Sequence, residues 1–69
     1  MTYEEALQAI KRVYKGLAPR FIKQVGEKYI FWLNIPNDGE FYFVVEGWSG
    51  GDIVSHGYRT VEEAERDCR

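Results

Sequence analysis

The sequence predicts a small α+β domain: an N-terminal helix, a three- or four-stranded antiparallel meander sheet and a short C-terminal helix, in the order α-β-β-β-β-α. Two observations predict this fold. Apolar residues recur at helical spacing near both ends of the chain, whereas the middle is rich in aromatic and β-branched residues separated by turn residues. Because 69 residues are enough for only one domain, we expect residues 1–69 to fold as a single unit.

The first helix is predicted from a capping signal and an apolar stripe. Thr2 is a typical N-cap residue, and Glu5 completes a capping box three residues later. Gly16 and Pro19 are expected to end the helix, since glycine enters the left-handed region and proline cannot continue a helix. The apolar side chains follow at intervals of three and four: Tyr3, Ala6, Leu7, Ile10, Val13, Tyr14 and Leu17.

Two central strands are predicted at 28–35 and 40–48, on either side of a turn that follows Pro36. We interpret Asn37-Asp38-Gly39 as a three-residue hairpin loop with Gly39 at a left-handed bulge position. This loop pairs Ile35 with Phe41 and fixes the rest of the register. The resulting pairs also include Leu33 with Phe43 and Phe31 with Val45. One face then carries a fully apolar set: Tyr29, Phe31, Leu33, Ile35, Phe41, Phe43 and Val45.

The flanking elements complete the sheet and add the second helix. A strand at 20–25 is expected to join through a type II′ turn that begins at Gly26, and a last strand at 53–58 is expected after the turn at 49–52. Gly57 within that last strand indicates a bulge or a close backbone approach. Thr60 is predicted to cap a short helix, with Glu63 completing its capping box.

The second helix is expected to pack on the sheet through one stripe. That stripe consists of Val61, Ala64 and Cys68, at intervals of three and four. We expect both helices to lie on the same face of the sheet. The other face would then be open to water or to a partner.

The open face predicted in this way is unusually apolar for a solvated surface. Four of its members are contiguous and apolar or aromatic: Ile30, Trp32, Tyr42 and Val44. Such patches mark interaction sites, and Trp and Tyr are enriched in binding hot spots. Two structural readings remain open: the aromatic pairs simply stiffen the sheet, or one helix covers this face.

Charge adds a second part to the predicted binding site. Residues 1–28 carry a net charge of +3 and residues 29–69 a net charge of −5, for a total of −2. We expect acidic residues of the second part to engage a basic surface on a partner: Glu46, Asp52, Glu62 and Glu63. If the partner normally binds nucleic acid, these carboxylates would compete with phosphates.

No pattern in the sequence predicts catalysis, a cofactor or a metal site. Neighbouring residues of a strand point to opposite faces, so Ser55 and the single histidine, His56, are not expected to share a proton. One histidine and one cysteine, Cys68, do not supply the three or four ligands of a metal site. The glycine-rich segment 47–51 lacks the lysine and the following helix of a phosphate-binding loop.

The expected compartment is the cytoplasm. The single cysteine fits a reducing environment, no apolar run is long enough to span a bilayer, and the N-terminus lacks the basic region of a signal peptide.

A resemblance suggests a nucleic-acid alternative. Strands followed by Gly57-Tyr58-Arg59-Thr60-Val61-Glu62-Glu63-Ala64-Glu65 resemble small β-β-β-α modules, including the arm-type DNA-binding domains of phage integrases. The resemblance covers less than half of the chain and implies nucleic-acid binding through the sheet. A sheet that reads DNA needs Lys and Arg on its exposed face. The sequence offers Lys28 there, together with Glu40 and Glu46.

The favoured expectation is a non-enzymatic, acidic protein-binding module that acts as a steric inhibitor or adaptor of a larger host protein. In size, acidity and lack of catalytic motifs, the chain is similar in kind to the small proteins with which phages and mobile elements inhibit host machinery, including anti-CRISPR proteins. The alternatives are the nucleic-acid-binding β-β-β-α module and a homodimeric accessory protein.

Overall fold

The computed structural model describes residues 1–48 and 51–69, and within them it shows the predicted order of helices and strands. The elements are α1 (Tyr3–Val13), β1 (Arg20–Val25), β2 (Lys28–Ile35), β3 (Gly39–Trp48), β4 (Gly51–Val54) and α2 (Val61–Asp67). The described strands form one antiparallel sheet in the order β1-β2-β3-β4. The α-β-β-β-β-α fold is therefore confirmed.

Helix α1 begins as its capping signal predicts. The Thr2 hydroxyl accepts a hydrogen bond from the Glu5 N–H at 3.2 Å, and the Glu5 carboxylate accepts one from the Thr2 N–H at 2.8 Å. The helix ends earlier than the apolar stripe suggested, with Tyr14 as the C-cap. Gly16 follows with a positive φ of 84°, which turns the chain away from the helix axis.

The register of the β2–β3 hairpin differs from the predicted one by two residues. The observed pairs include Ile35 with Gly39, Leu33 with Phe41, and Phe31 with Phe43. The turn is built on Pro36 and Asn37, and the Asp38 N–H donates to the Ile35 carbonyl at 3.0 Å. Pro36 presets the first turn position, while Asn37 takes the left-handed conformation at φ 71°, as in a type II turn. Because the shift is even, every side chain keeps its predicted face.

The remaining connections agree only partly with expectation. Strand β1 has the predicted bounds, and Gly26 has a φ of 62°, as a type II′ turn requires. Strand β4 is shorter than predicted, and Tyr58 instead forms an isolated bridge with Tyr42. A Cβ atom at Gly57 would lie 3.0 Å from the Phe41 side chain, which confirms the close approach. Residues 49–50 of the predicted turn lie outside the described residues, whereas Gly51 and Asp52, predicted to belong to that turn, are part of β4.

The two helices pack on opposite faces of the sheet, so the prediction that they share one face is wrong. The core under α1 consists of Ala6, Ala9, Ile10, Tyr29, Phe31, Leu33, Phe43 and Val45. The core under α2 consists of Ile30, Val44 and Ala64, with partly buried neighbours that include Val61 and Cys68. Both faces of β2 and β3 are apolar, and therefore each face can bury the stripe of one helix.

Candidate protein-binding face

Helix α2 covers the middle of the face that the sequence predicts to be open. Ile30 is fully buried and Val44 is 2% exposed, and both belong to the same cluster as Ala64 of α2. These two members of the predicted binding site are therefore core residues, and a partner cannot reach them without displacing α2. Trp32 and Tyr42 lie further along the same face and remain half-buried.

Four residues form a continuous line across this face, and the two tyrosines at one end of it pack against the core under α2. Arg20 on β1 lies opposite Trp32, Trp32 lies opposite Tyr42, and Tyr42 forms a bridge with Tyr58. Directly opposite residues of antiparallel strands place their side chains on the same face. We call this set the aromatic row: Arg20, Trp32, Tyr42 and Tyr58.

Contacts with two charged side chains hold the first half of the aromatic row in place. The Arg20 guanidinium carbon lies 5.5 Å from the centroid of the Trp32 ring, within the range of a cation–π contact. The Trp32 indole N–H donates to a carboxylate oxygen of Glu40 at 3.1 Å. The Trp32 ring is thus positioned by surface groups that a partner could replace.

The second half of the aromatic row is fixed through the backbone. Tyr42 and Tyr58 exchange two backbone hydrogen bonds of 2.7 Å each, and the His56 ring centroid lies 4.4 Å from that of Tyr58. Burial, and then the neighbouring Asp67 carboxylate, raise the pKa of the Tyr58 hydroxyl above 10.0. Tyr58 therefore stays neutral at physiological pH.

Folding brings the basic and acidic parts of the chain together. Arg12 pairs with Asp52 at 3.1 Å, Lys23 with Glu65 at 2.8 Å, and Lys28 with Glu46 at 3.4 Å. Each pair joins a cation from residues 1–28 to an anion from residues 29–69. The charge asymmetry along the sequence is therefore partly neutralised in the folded protein.

The four acidic residues predicted to bind a partner do not form one surface with equal access. Glu46 and Asp52 have cationic neighbours within the chain. Glu63 is half-buried and its N–H donates to the capping Thr60 hydroxyl at 3.2 Å, whereas Glu62 is exposed. Glu62 is thus the most accessible of the four carboxylates.

Ser55 and Cys68 take part in structural contacts. The Ser55 hydroxyl accepts a hydrogen bond from the Val44 N–H at 2.9 Å and donates to the His56 carbonyl at 2.8 Å. Burial is the main cause of a raised pKa at the Cys68 thiol, so this group is not an activated thiolate. Across residues 1–48 and 51–69, no three His, Cys, Asp or Glu side chains are grouped so that they could hold a metal ion.

Sequence reasoning missed Arg20 and Tyr58 as members of the candidate face. The sequence predicts Tyr58 within a last strand at 53–58, but it does not show that Tyr58 pairs with Tyr42. Arg20 could be placed only once the β1–β2 register was known. That register contains an irregularity between Phe21 and Lys23, which the sequence does not signal.

Comparisons with known proteins do not assign the chain to a family. Among the described residues, no helix combines the length and the apolar character needed to cross a membrane. The chain has no significant match to a protein-family model, to a curated protein or to a solved structure.

Proposed function

We propose that this chain is a non-enzymatic protein-binding module that acts sterically, as an inhibitor or adaptor of a larger host protein. The observation that supports this proposal is the pair Trp32 and Tyr42, which lie side by side on adjacent strands and remain half-buried, although Tyr42 also packs against the core under α2. Trp and Tyr supply large contact areas at a low entropic cost, and both are enriched in hot spots.

The proposed contact surface is the aromatic row rather than the acidic residues. Arg20 stands at one end of the row and the exposed His56 lies beside the other end, so the rings have polar groups at the margins of the surface. An apolar centre with a polar rim is typical of protein interfaces. Glu62 on α2 is exposed, and we expect it to add an electrostatic contact with a basic surface of the partner.

The row also supports the alternative of single-stranded nucleic acid. The observation that favours it is the Arg20 guanidinium beside the Trp32 ring. A base that stacks on an aromatic ring contributes about 1–3 kcal/mol to binding, and an arginine next to that ring can contact the phosphate. The Glu40 carboxylate, which accepts the hydrogen bond of the Trp32 indole, would repel a phosphate backbone. We therefore favour a protein partner.

The test is affinity capture from a nuclease-treated lysate of the host cell, with tagged wild-type protein, Trp32→Ala and Phe21→Ala. Phe21 is a matched control, since it is a 41% exposed aromatic residue that contacts the α1-side rings Tyr29 and Phe31. We expect one stoichiometric protein that is retained by Phe21→Ala and lost with Trp32→Ala. Thermal unfolding must show that both variants fold.

Two outcomes would contradict the proposal. Capture that occurs only when nucleic acid is left intact would favour the nucleic-acid alternative. Light scattering that shows a dimer, dissociated by Trp32→Ala, would mean that the aromatic row joins two copies of the chain.

A further inference from the structure

A small pocket lies on the α1 side of the sheet and does not involve the aromatic row. Its volume is about 210 Å³, and it is lined by Tyr14, Ile35, Asp38, Phe41, Phe43 and Gly57. The buried Phe43 ring lies 4.8 Å from the Tyr14 ring and 6.5 Å from the Phe41 ring, measured between centroids. The two outer rings are inclined to Phe43 by 50° and 58°, and Phe43, which is 1% exposed, lies at the bottom of the pocket.

Gly57 lines this pocket and lies directly against the Phe41 side chain. A Cβ atom there would lie 3.0 Å from three atoms of the Phe41 side chain, too close for the ring to keep its position. Gly57 does not have a positive φ, so the backbone conformation itself does not demand glycine. Glycine is therefore needed here for space, next to a ring that lines the pocket.

The electrostatics of the pocket favour a cation. Asp38 supplies a carboxylate at the rim, and Tyr14 is the C-cap of α1, where the helix dipole places partial negative charge. The faces of aromatic rings attract cations within about 6 Å of their centroids. Phe41 already makes such a contact, because the Arg59 guanidinium carbon lies 5.4 Å from its ring centroid.

We propose that this pocket binds an alkylammonium group, such as a small quaternary ammonium compound or the lysine side chain of a partner. The alkyl groups contact the partly exposed Tyr14 and Phe41 rings above Phe43, and the Asp38 carboxylate neutralises the charge. An uncharged group of the same shape would gain only the apolar contacts. The proposal does not depend on the aromatic row as a binding face.

The test is a titration of the isotope-labelled protein with choline and, separately, with its uncharged isostere 3,3-dimethyl-1-butanol, followed by amide chemical shifts in NMR spectra. We expect saturable shifts at Asp38, Phe41 and Gly57 with choline, and binding of the isostere about tenfold weaker. Equal binding of the two compounds, or no saturable shift, would overturn the proposal. A parallel titration with Nα-acetyl-lysine methylamide, whose side-chain ammonium is free, compares a lysine side chain with a quaternary ammonium compound as the ligand.

Variants separate the pocket from a general surface effect. Asp38→Asn should weaken choline binding severalfold, whereas Glu62→Gln, which removes an exposed carboxylate on α2, should leave it unchanged. Phe41→Leu keeps an apolar side chain but removes a ring, and should also weaken binding. Arg59→Ala should bind at least as tightly as the wild type, because it removes a competing cation. A loss of binding in Arg59→Ala, or equal losses in the two carboxylate variants, would refute the assignment.

Discussion

Phe31 and Phe43 lie opposite each other on β2 and β3, at the centre of the core under α1. Phe31 is fully buried and Phe43 is 1% exposed. Phe21 also has a ring near Phe31, with centroids 5.9 Å apart, but it is 41% exposed. The three residues have the same chemistry and differ in burial, so they form a natural series.

Truncation of the two buried rings should destabilise the protein strongly. Phe31→Ala and Phe43→Ala should each lower the free energy of unfolding by about 3–5 kcal/mol, because each removes a buried ring and leaves a cavity. Such a loss is comparable to the whole stability of many small domains, so either variant can unfold. Urea denaturation followed by circular dichroism measures the effect. Phe21→Ala should lose clearly less, and an equal loss in all three variants would contradict the burial assignment.

At the level of elements, the carboxylates of Glu5 on α1 and Glu65 on α2 make the stability of the protein depend on pH. The pKa of Glu5 is lowered from 4.5 by its hydrogen bonds with Thr2, and that of Glu65 is lowered mainly by its hydrogen bond with Lys23. A lowered pKa in the folded state means that the stabilisation is present above pH 4.5. It is lost as the pH falls through the folded-state pKa.

The expected result is a melting temperature that falls in acid below about pH 4.5. Glu5→Gln and Glu65→Gln should each reduce this dependence, because the replaced group no longer takes up a proton on unfolding. Glu62→Gln is the matched control on α2, since Glu62 is an exposed carboxylate of the same helix. Melting curves across the acid range measure the effect. A pH dependence in both variants identical to that of the wild type would contradict the assignment.

The elements also show how far the sequence could predict this structure. The start of α1 and the bounds of β1 and β2 follow from local capping and turn signals, and the structure confirms them. The predicted β2–β3 register is wrong because the segment 36–39 contains the signals of two different turns. In the structure the turn is centred on Pro36-Asn37 rather than on Asn37-Asp38-Gly39. Local sequence alone does not rank two such turns.

The position of α2 could not be predicted for a different reason. Ile30 and Val44 looked like a binding surface, because an apolar sheet face is equally suited to a partner or to a helix of the same chain. The stripe of Val61, Ala64 and Cys68 was recognised, but its pattern does not say which face it meets. The prediction that Trp32 and Tyr42 bind a protein is still untested.

At the scale of the whole molecule, the protein has three layers, with the sheet between two helices. Both helices are joined to distant parts of the chain by ion pairs: Arg12 of α1 with Asp52 of β4, and Lys23 of β1 with Glu65 of α2. These pairs are partly exposed, so each should contribute little to stability, about 0–1 kcal/mol. The buried apolar faces of β2 and β3 hold the layers together.

The order of the strands has a consequence for the speed of folding. Each strand pairs with its neighbour in the chain, and the first two hairpins are closed by only residues 26–27 and 36–38, so little loop entropy opposes their formation. Stopped-flow refolding should therefore be fast for a sheet protein, on the order of milliseconds. The Arg12–Asp52 contact joins residues 40 positions apart and should form after the hairpins. Asp52→Asn should then accelerate unfolding without changing the folding rate. A lower folding rate in this variant would show that the Arg12–Asp52 contact already forms in the transition state for folding.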